Sequence, residues 1–334
     1  MKIVLSGIRP TGNLHLGNYY GAMVNFLKMQ EDKENNCFFF IADLHSMTTH
    51  SDPKLLQENV RNILATYLAC GLDPEKATLY IQSDMDDISK LYYLLATLSP
   101  VADLNKVVTF KEKSQQNPDN VNAALFTYPV LMASDILAFN ADFVPVGKDQ
   151  KQHLEFTCHT ASRFNQRYGV NYFKEPTPFI AKDQALVKIP GLDGSGKMGK
   201  SEGNCIYLID EPKAIEKKVK GALTDNGPEG VNTPKPEYIE NLFTILKVVS
   251  TPDVVAHYDN LWKTGEQKWY GNLKKQLAED IITVTTPIRE RINDIKNDDA
   301  YLRKVTQLGA EKARAVTSKT LADVREIMGL NYFK

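Results

Sequence analysis

The chain has 334 residues, 43% of them apolar, and a formal charge of −1 at neutral pH. That length accommodates two domains with a core of ordinary size. The near-zero charge excludes polyanion binding by bulk charge, so any nucleic-acid contact has to come from local patches. Cys37, Cys70, Cys158 and Cys205 share no C-x-x-C spacing and read as reduced thiols rather than a zinc site. The first apolar stretch, Ile3–Leu5, is too short for a signal peptide, and no apolar run reaches the ~20 residues of a membrane span. The expected location is the cytoplasm, with no membrane partner.

Lys2–Ser6 reads as a short buried strand, followed by a turn segment with Gly7, Pro10 and Gly12. The spacing of Met23, Phe26 and Leu27 predicts a helix from near Gly17 to about Gln30. Cys37–Asp43 reads as a second strand. Asp52-Pro53 reads as an N-cap and first helical position opening a helix that Gly71 closes. Ala77–Gln82 is the third strand. Further on come a helix over Phe126–Phe139, a strand over Ala141–Val146, and a helix over Asp149–Tyr168 capped by Asp149. Ile189–Gly203 holds five glycines and one proline, the texture of a mobile loop. Beyond Asp210 the patterns are almost all helical, including Pro212–Ala222, Glu237–Val249 and Leu273–Ile295. Alternating strands and helices predict an α/β fold: a Rossmann-like nucleotide-binding parallel sheet with a mainly helical C-terminal domain.

Two segments carry the chemistry. Arg9-Pro10-Thr11-Gly12-Asn13-Leu14-His15-Leu16-Gly17-Asn18 joins the first strand to the first helix. There an open α/β sheet binds nucleotides. Gly17 would let a base or ribose approach the backbone, and His15 and Asn18 sit one turn apart, able to donate to phosphate oxygens. Neither the dinucleotide fingerprint nor a Walker A motif is present. The second segment is Lys197-Met198-Gly199-Lys200-Ser201. Its two lysines, three apart, suit the charge on a departing pyrophosphate. Taken singly, each segment also suits a plainer role, a packed glycine turn or a solvated basic loop.

Together, in this order and setting, the two segments resemble the paired signatures of the class I aminoacyl-tRNA synthetases. The first is similar to the H-I-G-H element and the second to the K-M-S-K-S loop. The stretches Ala42–Ser46, Phe110–Ser114, Tyr128–Leu137 and Val144–His153 resemble the bacterial tryptophanyl enzymes in particular. Tyr128, Met132, Asp135 and Phe139 share one helix face, apolar except for Asp135. A half-buried carboxylate there needs a donor, which an indole N–H supplies and a nearby lysine would supply as well. In the family the matching aspartate takes the indole N–H.

The resemblance implies ATP and L-tryptophan as substrates with Mg²⁺ on the phosphates, and tRNA(Trp) rather than DNA as the nucleic-acid partner. It implies a homodimer. For the nucleotide it implies Arg9, Pro10, Thr11, Gly17, Asn18, Gly147, Lys148, Asp149, Val187, Lys197, Met198, Gly199, Lys200 and Ser201. For the catalytic charge it implies His15, Lys113, Lys197 and Lys200. For the amino acid it implies Leu5, His45, Tyr128, Met132, Asp135, Val144, Val146 and Gln150; His45 is equally well read as a packed side chain. Residues 1–205 would be catalytic and 206–300 anticodon-binding, with 301–334 a C-terminal helix free to pack back on the catalytic part. Lys213, Lys217, Lys218 and Lys220 suit a phosphate-tracking face or a solvated helix equally. The rivals are a tyrosyl enzyme, a non-catalytic RNA-binding paralogue and a nucleotidyltransferase of the same superfamily.

This chain departs from the family pattern at several positions. Gly199 stands where serine is usual, which frees the loop backbone. Arg9 stands for glutamine and Lys148 for glutamate, adding positive charge beside the nucleotide. Leu5 stands where an aromatic is common.

Overall fold

The computed structural model describes residues 1–49, 52–116, 118–145, 147, 150–179 and 188–333. Five strands form one parallel sheet: β1 (Lys2–Ile8), β2 (Asn35–Ile41), β3 (Ala77–Ile81), β4 (Phe143–Val144) and β5 (Thr177–Pro178). Their order is β3-β2-β1-β4-β5. Val4 pairs with Cys37 on one side and Phe143 on the other. The order reverses between β1 and β4, which is where such sheets open a crevice at their carboxyl edge.

Both faces of the sheet's centre are covered, as the apolar runs of β1, β2 and β3 require. Side-chain alternation sends Val4, Cys37, Phe39, Ile41 and Leu79 into one apolar cluster. Leu5, Phe38, Phe40 and Tyr80 point into the other. The first cluster runs on without a break through Ile206, Leu208 and Ile215 to Trp262, Trp269 and Leu273. The second contains Leu137 and Phe139, and also Ala310, Ala313, Leu321 and Val324 from the helix Asp299–Ile327. The C-terminal helix therefore returns to the sheet. At Gly309 it lies so close to β3 that an added Cβ would overlap the Leu79 carbonyl.

Several elements differ in detail from their sequence-based extents. The first helix comes in three pieces, Leu16–Asn18, a π-helical turn over Tyr19–Met23, and Val24–Glu31. Ala123–Phe126 and Tyr128–Ala138 are separate helices, with Pro129 in the first turn of the second. The strand expected over Ala141–Val146 is only Phe143–Val144 among the described residues. The helix Lys151–Tyr168 has Gln150 at its N-cap position and Gly169, with φ 66°, at its C-terminal end. Asp149, expected as its cap, lies outside the described residues.

Candidate active site

The carboxyl edge of the sheet gathers the site from several strands. The segment after β1 carries Arg9 to Asn18, and the turn after β2 carries Asp43 and His45. Gln82 follows β3, and Gly147 and Gln150 follow β4. Pro10 is buried and Thr11 is half-buried. Gly12 has φ 107°, a conformation that favours glycine. At Gly17 any side chain would meet the His15 imidazole at 2.9 Å. Asn18 Oδ1 accepts the His15 backbone N–H at 3.1 Å, leaving the amide N–H groups of Asn18 as donors.

The glycine-rich loop is docked against this segment. Leu16 N–H donates to the Ile206 carbonyl at 3.0 Å, and Leu208 N–H donates to the Leu14 carbonyl at 2.9 Å. Lys200 Nζ donates to the Gly12 carbonyl at 2.9 Å. Met198 is buried, with its Cβ against Gly17. Lys197 and Ser201 are exposed. The loop has internal ties as well. Asn204 Oδ1 accepts the Gly199 N–H at 2.9 Å, and Asn204 Nδ2 reaches Asp193, Ser195 and the Lys197 carbonyl. Asn241 Nδ2 donates to the Gly194 carbonyl at 2.9 Å, joining the loop to the helix Glu237–Val249. Glycine content alone suggests a free segment; here the amide of Gly199 is fastened and the loop backbone is bonded along its length.

Electrostatics follow from this docking. Burial, and then the ammonium groups of Lys200 and Lys197, push the His15 imidazole down to about 4. It is neutral at pH 7 and keeps one N–H to donate. Burial also lowers Lys200. Arg9 Nη2 donates to Thr49 Oγ1 at 2.6 Å.

A second buried cluster of the crevice centres on Asp135, in the helix Tyr128–Ala138. Its carboxylate is buried rather than half-buried, only 1% exposed. Among the described residues its partners are not lysines: Gln82 Nε2 lies 2.8 Å from Oδ1 and 2.9 Å from Oδ2. His45 Nε2 lies 2.8 Å from Oδ2. Burial raises Asp135, while the hydrogen bonds from His45 and Gln82 oppose that rise. The Tyr128 ring lies 4.3 Å from His45. Met132 is half-buried, one turn before Asp135. Leu5 and Val144 are buried in the apolar cluster of the same face.

Lys113 lies in the helix Val108–Gln116. Gln150 N–H donates to the Gly147 carbonyl at 3.0 Å. Val146, Lys148, Asp149 and Val187 lie outside the described residues. Two residues that the sequence reading passed over, Gln82 and Asn204, are hubs of the site. Gln82 had one available signal, its place at the carboxyl end of a predicted parallel strand. Asn204 had none, because its partners are backbone and side-chain groups of its own loop, brought to it only by the loop's folding.

Residues 1–286 match the family described as tRNA synthetases class I (W and Y). The chain is 56% identical over 329 residues to the tryptophan–tRNA ligase of Porphyromonas gingivalis, covering 98% of this chain and 99% of that one. It is 41% identical over 333 residues to the tryptophan–tRNA ligase of Helicobacter pylori, with 98% and 99% covered. Among solved structures it is similar to the tryptophanyl-tRNA synthetase of Campylobacter jejuni complexed with ADP and tryptophan. The TM-score there is 0.86 at 31% identity, over 98% of this chain and 99% of that one. The chain therefore belongs to the class I tRNA synthetases of the tryptophan and tyrosine type, within their bacterial tryptophanyl branch.

Proposed function

We propose that the chain activates L-tryptophan with ATP, releasing pyrophosphate, and passes the tryptophanyl group to the 3′-terminal ribose of tRNA(Trp). The observation that carries this reading is the pairing of two features at one sheet edge. One is a lysine loop closed on the segment after β1; the other is the buried Asp135 carboxylate, held by side chains that follow β2 and β3. The substrate carboxylate is ionised at neutral pH and needs no general base. One of its oxygens attacks the α-phosphorus while the bond to pyrophosphate breaks. Neutral His15 and the Asn18 amide donate to phosphate oxygens. Lys113, Lys197 and Lys200 take up charge on the departing pyrophosphate. Among the described residues no three His, Cys, Asp or Glu side chains gather into a metal-binding group. Mg²⁺ enters this reading as the ion carried on the phosphates of ATP, not as a resident metal.

Asp135 would take the indole N–H, with Tyr128, Met132 and Val144 around the ring and Gln150 toward the α-amino group. A site built to pair a substrate N–H rejects analogues lacking it by about 10⁴ or more, so tyrosine would be excluded without an editing domain. In the helix Pro212–Lys220, Ile215 and Val219 are buried while Lys213, Lys217 and Lys220 are exposed together. Those three are the phosphate-tracking set for tRNA. Lys218 is set apart from them, bonded to Asp210 and lying over the Tyr207 ring. Residues 1–205 would form the catalytic part and 206–300 the anticodon-binding part, with the helix Asp299–Ile327 bracing the sheet. A homodimer would use the segment leading into the Asp135 helix, where Val121 is exposed. The place of action is the cytoplasm; no helix among the described residues is long and apolar enough to cross a membrane.

The test is ATP–pyrophosphate exchange with each amino acid in turn. Exchange that depends on tryptophan alone is expected. Equal exchange with tyrosine would overturn the role given to Asp135.

A further inference from the structure

Gln82 is a buried polar side chain that the mechanism above does not use. It is 0% exposed and sits directly after β3. Its amide is fixed from both ends. Nε2 donates to the two Asp135 oxygens, and Oε1 accepts the His45 backbone N–H at 3.4 Å. An ionised carboxylate can only accept and a backbone N–H can only donate, so the flipped amide would face a partner of the wrong kind at each end. Asp43 Oδ1 accepts the N–H groups of Leu44 and Ser83, both at 3.0 Å, and so locks the turn after β2 to the turn after β3. The far side of the latter turn is braced by the C-terminal helix. Arg314 Nε donates to the Asp84 carbonyl at 3.3 Å, and Ser318 Oγ donates to Asp87 at 2.6 Å.

A carboxylate offers about four lone-pair sites. Among the described residues, Oδ2 of Asp135 faces both His45 and Gln82, whereas Oδ1 faces Gln82 alone. The remaining acceptor site is therefore on Oδ1. A buried carboxyl that took up a proton would present a donor instead, and the bonds from Gln82 and His45 act against that.

We propose that Gln82 is a positioning residue for amino-acid selection, holding Asp135 as an acceptor with Oδ1 left for the ring N–H of the substrate. This rests on the reading of Asp135 given above. Gln82 acts through Asp135 and does not touch the substrate.

The test compares L-tryptophan with β-(3-benzothienyl)-L-alanine, whose ring has sulfur in place of the N–H, in ATP–pyrophosphate exchange. Gln82→Met keeps the side-chain volume and removes the donors. It is expected to lower kcat/KM for tryptophan by roughly 10- to 100-fold, mainly through KM, with KM for ATP unchanged. The sulfur analogue should lose far less, so the preference for tryptophan shrinks by nearly the same factor. Equal losses for both substrates, or none, would overturn the proposal. If Gln82→Met does not fold, Gln82→Glu keeps the shape and the question. Its activity with tryptophan should be low at pH 8 and partly restored at pH 6, where the new carboxyl takes a proton and can donate; a flat profile counts against the proposal. A wild-type enzyme that treats the two substrates alike would sink the underlying reading of Asp135. Intact preference in both wild type and Gln82→Met would sink the role of Gln82 alone.

Discussion

The ammonium of Lys200 donates to the carbonyl of Gly12 at 2.9 Å, so the lysine loop and the segment after β1 are in direct contact although 188 residues separate them. The contact ties the loop to the segment after β1. In the proposed reaction Lys200 would exchange this carbonyl for phosphate oxygens, and its burial lowers the pKa of the ammonium. Replacing it by methionine keeps the buried stem and deletes the charge. Lys200→Met is expected to lower kcat of tryptophan-dependent exchange by roughly 10²- to 10³-fold, the cost of one preorganised donor. KM for tryptophan should stay near the wild-type value. A loss seen only in tryptophan KM would contradict the assignment.

His15 should titrate far from the usual histidine range. Its imidazole is held at about 4 against an ordinary 6.5. Between those two values the unfolded chain binds more protons at this site than the native one does. Stability contributed by neutral His15 is therefore complete above pH 6.5 and declines as pH falls toward 4. An NMR titration of the His15 ring is expected to give a midpoint near 4. Lys200→Met should move that midpoint upward, though not to 6.5, since burial is the larger cause. A midpoint near 6.5 in the wild type would refute the electrostatic picture.

The parts of this architecture legible in the sequence are those set by short-range pattern. Glu237–Val249 follows its apolar spacing to the residue. Pro53–Ala69 is opened by Asp52, whose side chain accepts from the N–H groups of Lys54 and Leu55. The π-helical turn over Tyr19–Met23 is invisible to a 3.6-residue period, and the two-residue β4 is too short to leave an alternation. The chemistry divides in the same way. His15, Gly17, Met198 and Lys200 stand in compact motifs and meet in space. The true partners of Asp135 lie 53 and 90 residues away along the chain, so helix-face reasoning could offer only an indole or a neighbouring lysine. Asp135, His45 and Gln82 become one unit only when the ends of β2 and β3 are brought beside the helix Tyr128–Ala138.

Asn204 should control how well the lysine loop is held. Its side chain bonds the Gly199 amide, Asp193, Ser195 and the Lys197 carbonyl. Each such bond contributes about 1 kcal/mol net. Asn204→Ala is therefore expected to slow single-turnover adenylate formation by roughly 10- to 100-fold while leaving equilibrium tryptophan binding intact. Limited proteolysis should show faster cleavage within residues 193–204. An unchanged single-turnover rate would mean that the loop is positioned by its other ties, the Lys200–Gly12 and Asn241–Gly194 contacts.

Gly309 should be the most sensitive position of the C-terminal helix. A Cβ there would overlap the Leu79 carbonyl oxygen and lie 2.6 Å from its carbon, both backbone atoms that cannot turn aside. The helix would have to move off β3 as a body, opening the packing of Ala310 and Ala313. Overpacking of this kind costs roughly 1–3 kcal/mol. Helix propensity works the other way, since alanine is favoured over glycine by about 1 kcal/mol in a helix interior. The clash is with backbone, so it should win, and Gly309→Ala is expected to lower Tm and the denaturation midpoint at unchanged m-value. Gly271, near the start of the helix Tyr270–Ile295, has nothing within 4 Å of an added Cβ. Gly271→Ala should be neutral or stabilising. The same substitution at two helical glycines thus has opposite expected signs, and a stabilised Gly309→Ala would show that the helix does not rest on β3 in solution.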